Sequence, residues 1–67
     1  METYDIYFKT EDDSANKGYS IKDQAKAIRM AEDMLDGRKS YVKEFVGGTI
    51  SVVRKETKEA VWSKAIQ

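Results

Sequence analysis

Residues 20–37 read SIKDQAKAIRMAEDMLDG, and they predict a single capped helix. Ser20 can serve as the N-cap, and Asp23, three residues further on, forms a shorter version of the capping box. Apolar residues then recur at helical spacing, at Ile21, Ala25, Ile28, Ala31 and Leu35. Because Gly37 follows as a C-terminal stop, we expect a helix from about residue 21 to residue 36.

The segment before this helix alternates as a β-strand does. In residues 3–10, Tyr4, Ile6 and Phe8 share one face, and Thr3, Asp5, Tyr7 and Lys9 share the other. Residues 11–18 are polar and rich in turn-forming types, which interrupt either periodicity. We therefore expect a half-buried strand followed by a polar loop.

The segment after the helix has the pattern of a hairpin. Residues 41–46 and 49–54 flank Gly47 and Gly48, and two glycines accept the positive φ angles of a tight turn. Pairing Val46 with Thr49 would place one set of side chains on the core side: Tyr41, Phe45, Ile50 and Val52. The same register would place Val42, Val46 and Val53 on the opposite face, together with Glu44, Thr49 and Ser51.

A second turn near residues 56–58 precedes a last strand over residues 60–66. A shift of one residue in its register would move Trp62 to the other face, and we favour the core side because a large aromatic side chain buries the most surface. The expected order is β-α-β-β-β. It corresponds to an α+β fold in which one helix packs on a mostly antiparallel sheet of three or four strands.

The composition argues against most classes of enzyme. The chain has no histidine and no cysteine, the side chains best suited to proton transfer near neutral pH and to soft metal ligation. A domain of 67 residues also has little volume for a substrate cleft. We expect a non-catalytic protein with no cofactor and no metal site.

Cysteine and hydropathy also bear on the cellular setting. Without cysteine the chain has no disulfide, which is compatible with the cytosol, and no long apolar run indicates a signal peptide or a membrane span. We expect one cytoplasmic domain over residues 1–67.

The charge is balanced overall but unevenly distributed. The chain has 12 basic and 12 acidic residues, with an acidic excess before residue 38 and a basic excess after it. The expected topology gathers the helix C-terminus and several basic residues at one end of the sheet, beside Tyr41. These basic residues are Arg38, Lys39, Arg54, Lys55 and Lys58. Cations beside an aromatic ring can bind phosphate and stack a base, whereas Arg38 and Lys39 can equally compensate the helix dipole.

A single helix covers only one face of a sheet, so the other face meets water or a partner. The expected open face has Tyr7, Val42, Val46 and Val53, with charges at Asp5, Lys9 and Glu44. β-branched residues on an uncovered face can form a protein-binding patch, although they also occur there simply because they suit strands.

The layout also resembles a known group of proteins. A serine-led, alanine-rich helix at residues 20–31 (SIKDQAKAIRMA) is followed by a hairpin and a Lys-Glu turn that leads to a tryptophan-containing strand at residues 55–62 (KETKEAVW). This arrangement is similar to that of several small phage-encoded proteins, among them anti-CRISPR inhibitors of multisubunit complexes. The resemblance implies a non-catalytic inhibitor that occupies a host protein surface, and it carries over no binding residues.

These observations predict a protein-binding module, an accessory protein or inhibitor from a phage or mobile element. The predicted surface combines the open face with the basic end: Tyr7, Val42, Val46, Val53, Arg38, Lys39, Tyr41, Arg54 and Lys55. The alternatives are a domain that binds single-stranded nucleic acid or RNA through its basic end, and a homodimer formed through the sheet.

Overall fold

The structure is a computed structural model that describes residues 2–37 and 40–67. At Ser40 and Tyr41 it describes the backbone alone. The described residues form four strands and two helices. The elements are β1 (Tyr4–Lys9), β2 (Ser14–Asn16), α1 (Gln24–Gly37), α2 (Ser40–Lys43), β3 (Thr49–Arg54) and β4 (Glu59–Ala65). The α+β class and the single long helix on an antiparallel sheet are confirmed, while two details of the predicted order are wrong.

The sheet has the strand order β2-β1-β3-β4, and every neighbouring pair is antiparallel. Ile6 lies opposite Val52 and Phe8 lies opposite Ile50, so the apolar residues of both central strands share one face. Helix α1 packs on this face through Ala27 and Ala31, which are both fully buried. Their small side chains let the helix backbone approach the sheet closely. Ala25, which the periodicity placed on the apolar side, is exposed.

The predicted strand over residues 41–46 is wrong. The chain forms the short helix α2 and then a series of turns, in which Phe45 N–H donates to the carbonyl of Val42. In a strand, Val42 and Phe45 would point to opposite faces. At a spacing of three residues in a helical turn both reach the core, and their exposed fractions are 1% and 7%. Burial of two large apolar side chains therefore outweighs the local strand propensity.

The two glycines still make the turn, but they connect α2 to β3. Gly47 has a φ of +93° and donates its N–H to the Ile66 carbonyl, 2.8 Å away. Gly48 lies against the backbone of Lys9, so closely that a β-carbon at this position would overlap the Lys9 carbonyl oxygen. The glycine pair is needed for a left-handed residue followed by a close backbone approach.

The predicted polar loop contains a short strand. Residues 14–16 form β2 and pair with β1, with Asn16 opposite Tyr7. All three residues of β2 are exposed, so the sequence has no apolar alternation there that would indicate a strand. The turn near residues 56–58 and the last strand are confirmed, and Trp62 lies opposite Val52 and packs half-buried against the core, as predicted.

The helix begins three residues later than its apolar periodicity indicated. Asp23, not Ser20, is the N-cap: its Oδ1 accepts hydrogen bonds from the N–H groups of Ala25 (3.0 Å) and Lys26 (3.4 Å). Ile21 instead forms an isolated bridge to Tyr4. Ser20 accepts a hydrogen bond from Lys55 Nζ at 3.0 Å.

This assignment predicts different results for two alanine substitutions. Asp23→Ala should lower the free energy of unfolding by about 1 kcal/mol, because two helix N–H groups lose their acceptor. Ser20→Ala should lower it by less than about 0.5 kcal/mol, since it removes only an exposed contact. Urea denaturation followed by circular dichroism measures both. If Ser20→Ala lowered the free energy of unfolding by more than Asp23→Ala does, the N-cap would be Ser20 and the assignment to Asp23 would be wrong.

Candidate functional site

The surface that the fold leaves uncovered is the face of the sheet turned away from α1. A row of paired residues crosses all four strands there, in the order Asn16, Tyr7, Ser51 and Ser63. Lys9 and Thr49 pair in the next row and are exposed. We call these six residues the open face. Tyr7 is its largest side chain, half-buried among short polar neighbours, and Lys9 is its single charge.

At one end of the same face of the sheet lies the buried carboxylate of Asp5, which accepts several hydrogen bonds. Asp5 lies next to Tyr7 along β1, and only 1% of its surface is exposed. Its Oδ2 accepts from Asn16 Nδ2 (2.9 Å) and from Gly18 N–H (3.1 Å). Its Oδ1 accepts from the N–H groups of Ile6 (2.7 Å) and Tyr19 (2.9 Å). Four donors therefore converge on one buried carboxylate.

The path of the chain explains why these donors meet. Lys17 N–H donates to the Ile6 carbonyl and Ile21 pairs with Tyr4, so residues 18–20 bulge outward opposite Asp5. The positive φ of Gly18, +79°, turns the backbone there. The N–H groups of Gly18 and Tyr19 have no strand partner there and donate to the Asp5 carboxylate instead. Asp5 thus ties the segment after β2 to the central strand.

The environment shifts the pKa of Asp5 downward from its ordinary value of 3.8. Burial by itself raises the pKa, because it penalises the charged form. Hydrogen bonds from the Asn16 side chain and from three backbone N–H groups lower it by more. Asp5 is therefore an ionised structural residue.

The structure places the predicted valine patch differently. Val42 is buried in the core, so its prediction as an open-face residue is wrong. Val53 does pair with Asp5 on the outer side of the sheet, but its exposed fraction is only 7%. Val46 is 53% exposed and lies in the turn after α2, away from the strands. Of the four residues predicted to form the open face (Tyr7, Val42, Val46 and Val53), only Tyr7 belongs to the open face defined above.

The predicted basic end is divided by the actual path of the helix. The start of α1 lies near the end of β3, because the Tyr4 hydroxyl donates a hydrogen bond to Gln24, and Tyr4 pairs with Arg54. The end of α1 lies beside Lys64 and the end of β4, at the opposite end of the sheet. The helix C-terminus therefore does not join Arg54 and Lys55, and that prediction is wrong. Arg38, Lys39 and the Tyr41 side chain lie outside what the structure describes.

Arg54, at the end of β3 beside the β3–β4 turn, has acidic neighbours. Arg54 Nε lies 3.6 Å from Glu2 Oε1, and Glu59 pairs with Arg54 across the strands. The neighbouring Tyr4 hydroxyl group and the charge of Glu2 raise the pKa of Arg54. This end of the sheet is a mixed-charge surface, so the described residues do not form the basic patch that nucleic-acid binding uses.

Sequence reasoning placed Thr49 and Ser51 on the face away from the core, but it missed Asn16 and Ser63 as members of the open face. Serine and asparagine in a strand pattern give little signal, because both are also typical of loops. The alternation of β3 did contain Ser51 between two buried residues, Ile50 and Val52. That alternation was the available indication of an outward polar row.

Comparisons with known proteins do not add a family. No family model, no curated protein and no solved structure matches the chain. In the described part of the chain, neither helix combines the length and the hydrophobicity that a membrane crossing requires. Within the same residues, no group of three or more acidic side chains could hold a metal ion.

Proposed function

We propose that this chain is a non-catalytic protein-binding module that acts through its open face. The observation that carries the proposal is the polar row across the sheet with Tyr7 near its centre. It replaces the valine patch that the sequence predicted as the contact surface. The finer assignment, a phage or mobile-element accessory protein that inhibits a host complex of the CRISPR type, rests on resemblance of layout alone.

The chemistry of the open face supports a protein partner. Tyrosine offers a large contact area at low entropic cost, and serine and asparagine offer hydrogen bonds that adapt to the partner. Ser51, Ser63 and Thr49 are short, so the surface around Tyr7 is low and accessible. With Lys9 as its single charge, the face suits a neutral partner surface that presents backbone and side-chain amide groups.

The alternative, binding of single-stranded nucleic acid, depends on cations that the structure does not bring together. Within the described residues, Arg54 faces Glu2, and the helix C-terminus lies at the far end of the sheet. One exposed lysine and one tyrosine on the open face are few for a backbone of phosphates.

The proposal is tested by capture with paired baits. Ser51→Arg places a long charged side chain in the middle of the open face, and Ala25→Arg adds the same charge on the exposed side of α1. Each bait is incubated with a cell lysate, with and without nuclease, and bound proteins are quantified by mass spectrometry. Equal urea midpoints for the two baits establish that both are folded.

We expect at least one stoichiometric protein that is retained by the original chain and by Ala25→Arg. Ser51→Arg should reduce its recovery about tenfold or more, because an unpaired charge would be buried at the centre of the contact. Equal recovery by both variants would refute the open-face proposal. Loss of all bound protein on nuclease treatment would favour the nucleic-acid alternative.

A further inference from the structure

The long outer strand β4 lies at one edge of the sheet. The strand order places β3 on one side of β4, and no other strand of the described residues lies on its other side. Ile66 donates to the Gly48 carbonyl and accepts from Gly47 N–H, so its backbone groups point toward β3. Because successive residues of an antiparallel strand alternate in direction, the groups of Ala65 and Ser63 point outward.

A β-bulge changes this alternation in the middle of β4. Trp62 pairs with Val52, but the next pair is Ala60 with Val53, so Val61 is an extra residue. Before the bulge, Glu59 pairs with Arg54, and the backbone of Ala60 points outward. The outer edge therefore offers hydrogen-bonding groups at Ala60, Ser63 and Ala65.

The side chains along this edge are complementary to themselves. Glu59 and Lys64 both lie on the helix side of the sheet, since their partners Arg54 and Ile50 do, and both are exposed. Ala60 and Ser63 both lie on the opposite side and are short. In one antiparallel register, Glu59 meets Lys64 of the partner subunit and Ala60 meets Ser63 of the partner subunit. Sheet face and backbone direction agree in both pairs.

We propose that two copies of this chain pair antiparallel through β4, about a two-fold axis between Val61 and Trp62. The register forms two equivalent Glu59–Lys64 ion pairs and joins two four-stranded sheets into one of eight strands. Exposed lysines and bulges commonly protect strand edges from pairing, but here the lysine meets a glutamate and both copies have the bulge at the axis. The inference is independent of the proposed function.

Charge reversal tests the register directly. We expect the mass by sedimentation equilibrium to rise from 7.7 kDa toward twice that value as concentration increases. Glu59→Lys alone and Lys64→Glu alone should each raise the dissociation constant about tenfold or more, because each creates two like-charge pairs. The double variant restores opposite charges and should dimerise as the original chain does.

Mixing the two single variants gives a second readout. Each contact then joins a lysine to a glutamate, so we expect a heterodimer from two proteins that are monomeric when separate. The emission of Trp62, the only tryptophan, should change on mixing because it lies beside the axis. Rescue on mixing also establishes that both single variants are folded.

Matched controls use exposed charges on α1. Glu32→Lys and Lys26→Glu make the same changes of net charge away from the edge, and they should leave the dissociation constant unchanged. A monomeric mass up to about 1 mM, a concentration at which even weak pairing is detected, would overturn the proposal. A dimer that is insensitive to both edge reversals would also overturn it.

Discussion

Replacing Phe8 by alanine is expected to remove about a third or more of the free energy of unfolding at about 25 °C. Phe8 is 2% exposed near the end of β1, and its ring stacks on Phe45 with a centroid distance of 5.5 Å. Loss of a buried phenylalanine costs about 3–5 kcal/mol. A chain of this length has a total free energy of unfolding of only about 3–10 kcal/mol. Far-UV circular dichroism and urea denaturation measure the loss.

The same experiment needs a control at an apolar residue outside the core. Val46 is the one large apolar side chain that is prominently exposed among the described residues. Val46→Ala should change the free energy of unfolding by less than about 0.5 kcal/mol. A folded Phe8→Ala variant with a midpoint close to that of Val46→Ala would contradict the assignment of the Phe8–Phe45 pair to the centre of the core.

Replacing Asp5 by asparagine should produce the second large effect, a loss of about 2–3 kcal/mol near neutral pH. The amide has the same shape as the carboxylate, but it has one acceptor oxygen in place of two and brings its own donors. The N–H groups of Gly18 and Tyr19 then compete for that oxygen. We expect the segment after β2 to loosen, with faster amide hydrogen exchange at these two residues.

The lowered pKa of Asp5 makes this loss dependent on pH. A carboxyl group with a lowered pKa in the folded state stabilises the fold fully above its unfolded pKa, and this stabilisation disappears as the pH falls through the lowered folded value. For Asp5 the loss begins around the ordinary value of 3.8 and continues below it. Asparagine has no such titration.

The measurement compares urea midpoints of the original chain and Asp5→Asn from about pH 7 to about pH 2. We expect the difference in free energy of unfolding to be constant above about pH 5 and to shrink steadily below it. All other carboxylates titrate in both proteins and cancel in the difference. A difference that stays constant to the lowest pH would show that Asp5 is not stabilised in its charged form.

The α1 helix, β1 and the turn at residues 56–58 were predictable because their signals are local. Apolar periodicity in residues 20–37 and strict alternation in residues 3–10 require no knowledge of the rest of the chain. The half-buried position of Trp62 was predictable from the burial that a large ring provides. Gly47 and Gly48 also indicated a turn, although not the elements that it connects.

The errors arose where a residue's partner is distant in sequence. Residues 41–46 have strand propensity. However, only a helical turn allows Phe45 to contact Phe8 while Val42 is also buried in the core. The exposed β2 strand has no apolar pattern and exists because β1 offers it a pairing edge. The predicted basic end was wrong because it depended on the direction of α1 across the sheet. That direction is set by the pairing of Ile21 with Tyr4, which precedes the helix.

The sequence by itself determined the α+β class, the one long helix and the absence of histidine and cysteine chemistry. These follow from composition and from periodicities that are set within a few residues. The tertiary structure decided which surface is open, which valines are buried, and that Asp5 is a structural carboxylate rather than an exposed charge. Those properties depend on pairing between segments far apart in the chain, because burial and hydrogen bonding are satisfied by the whole fold and not by any segment alone.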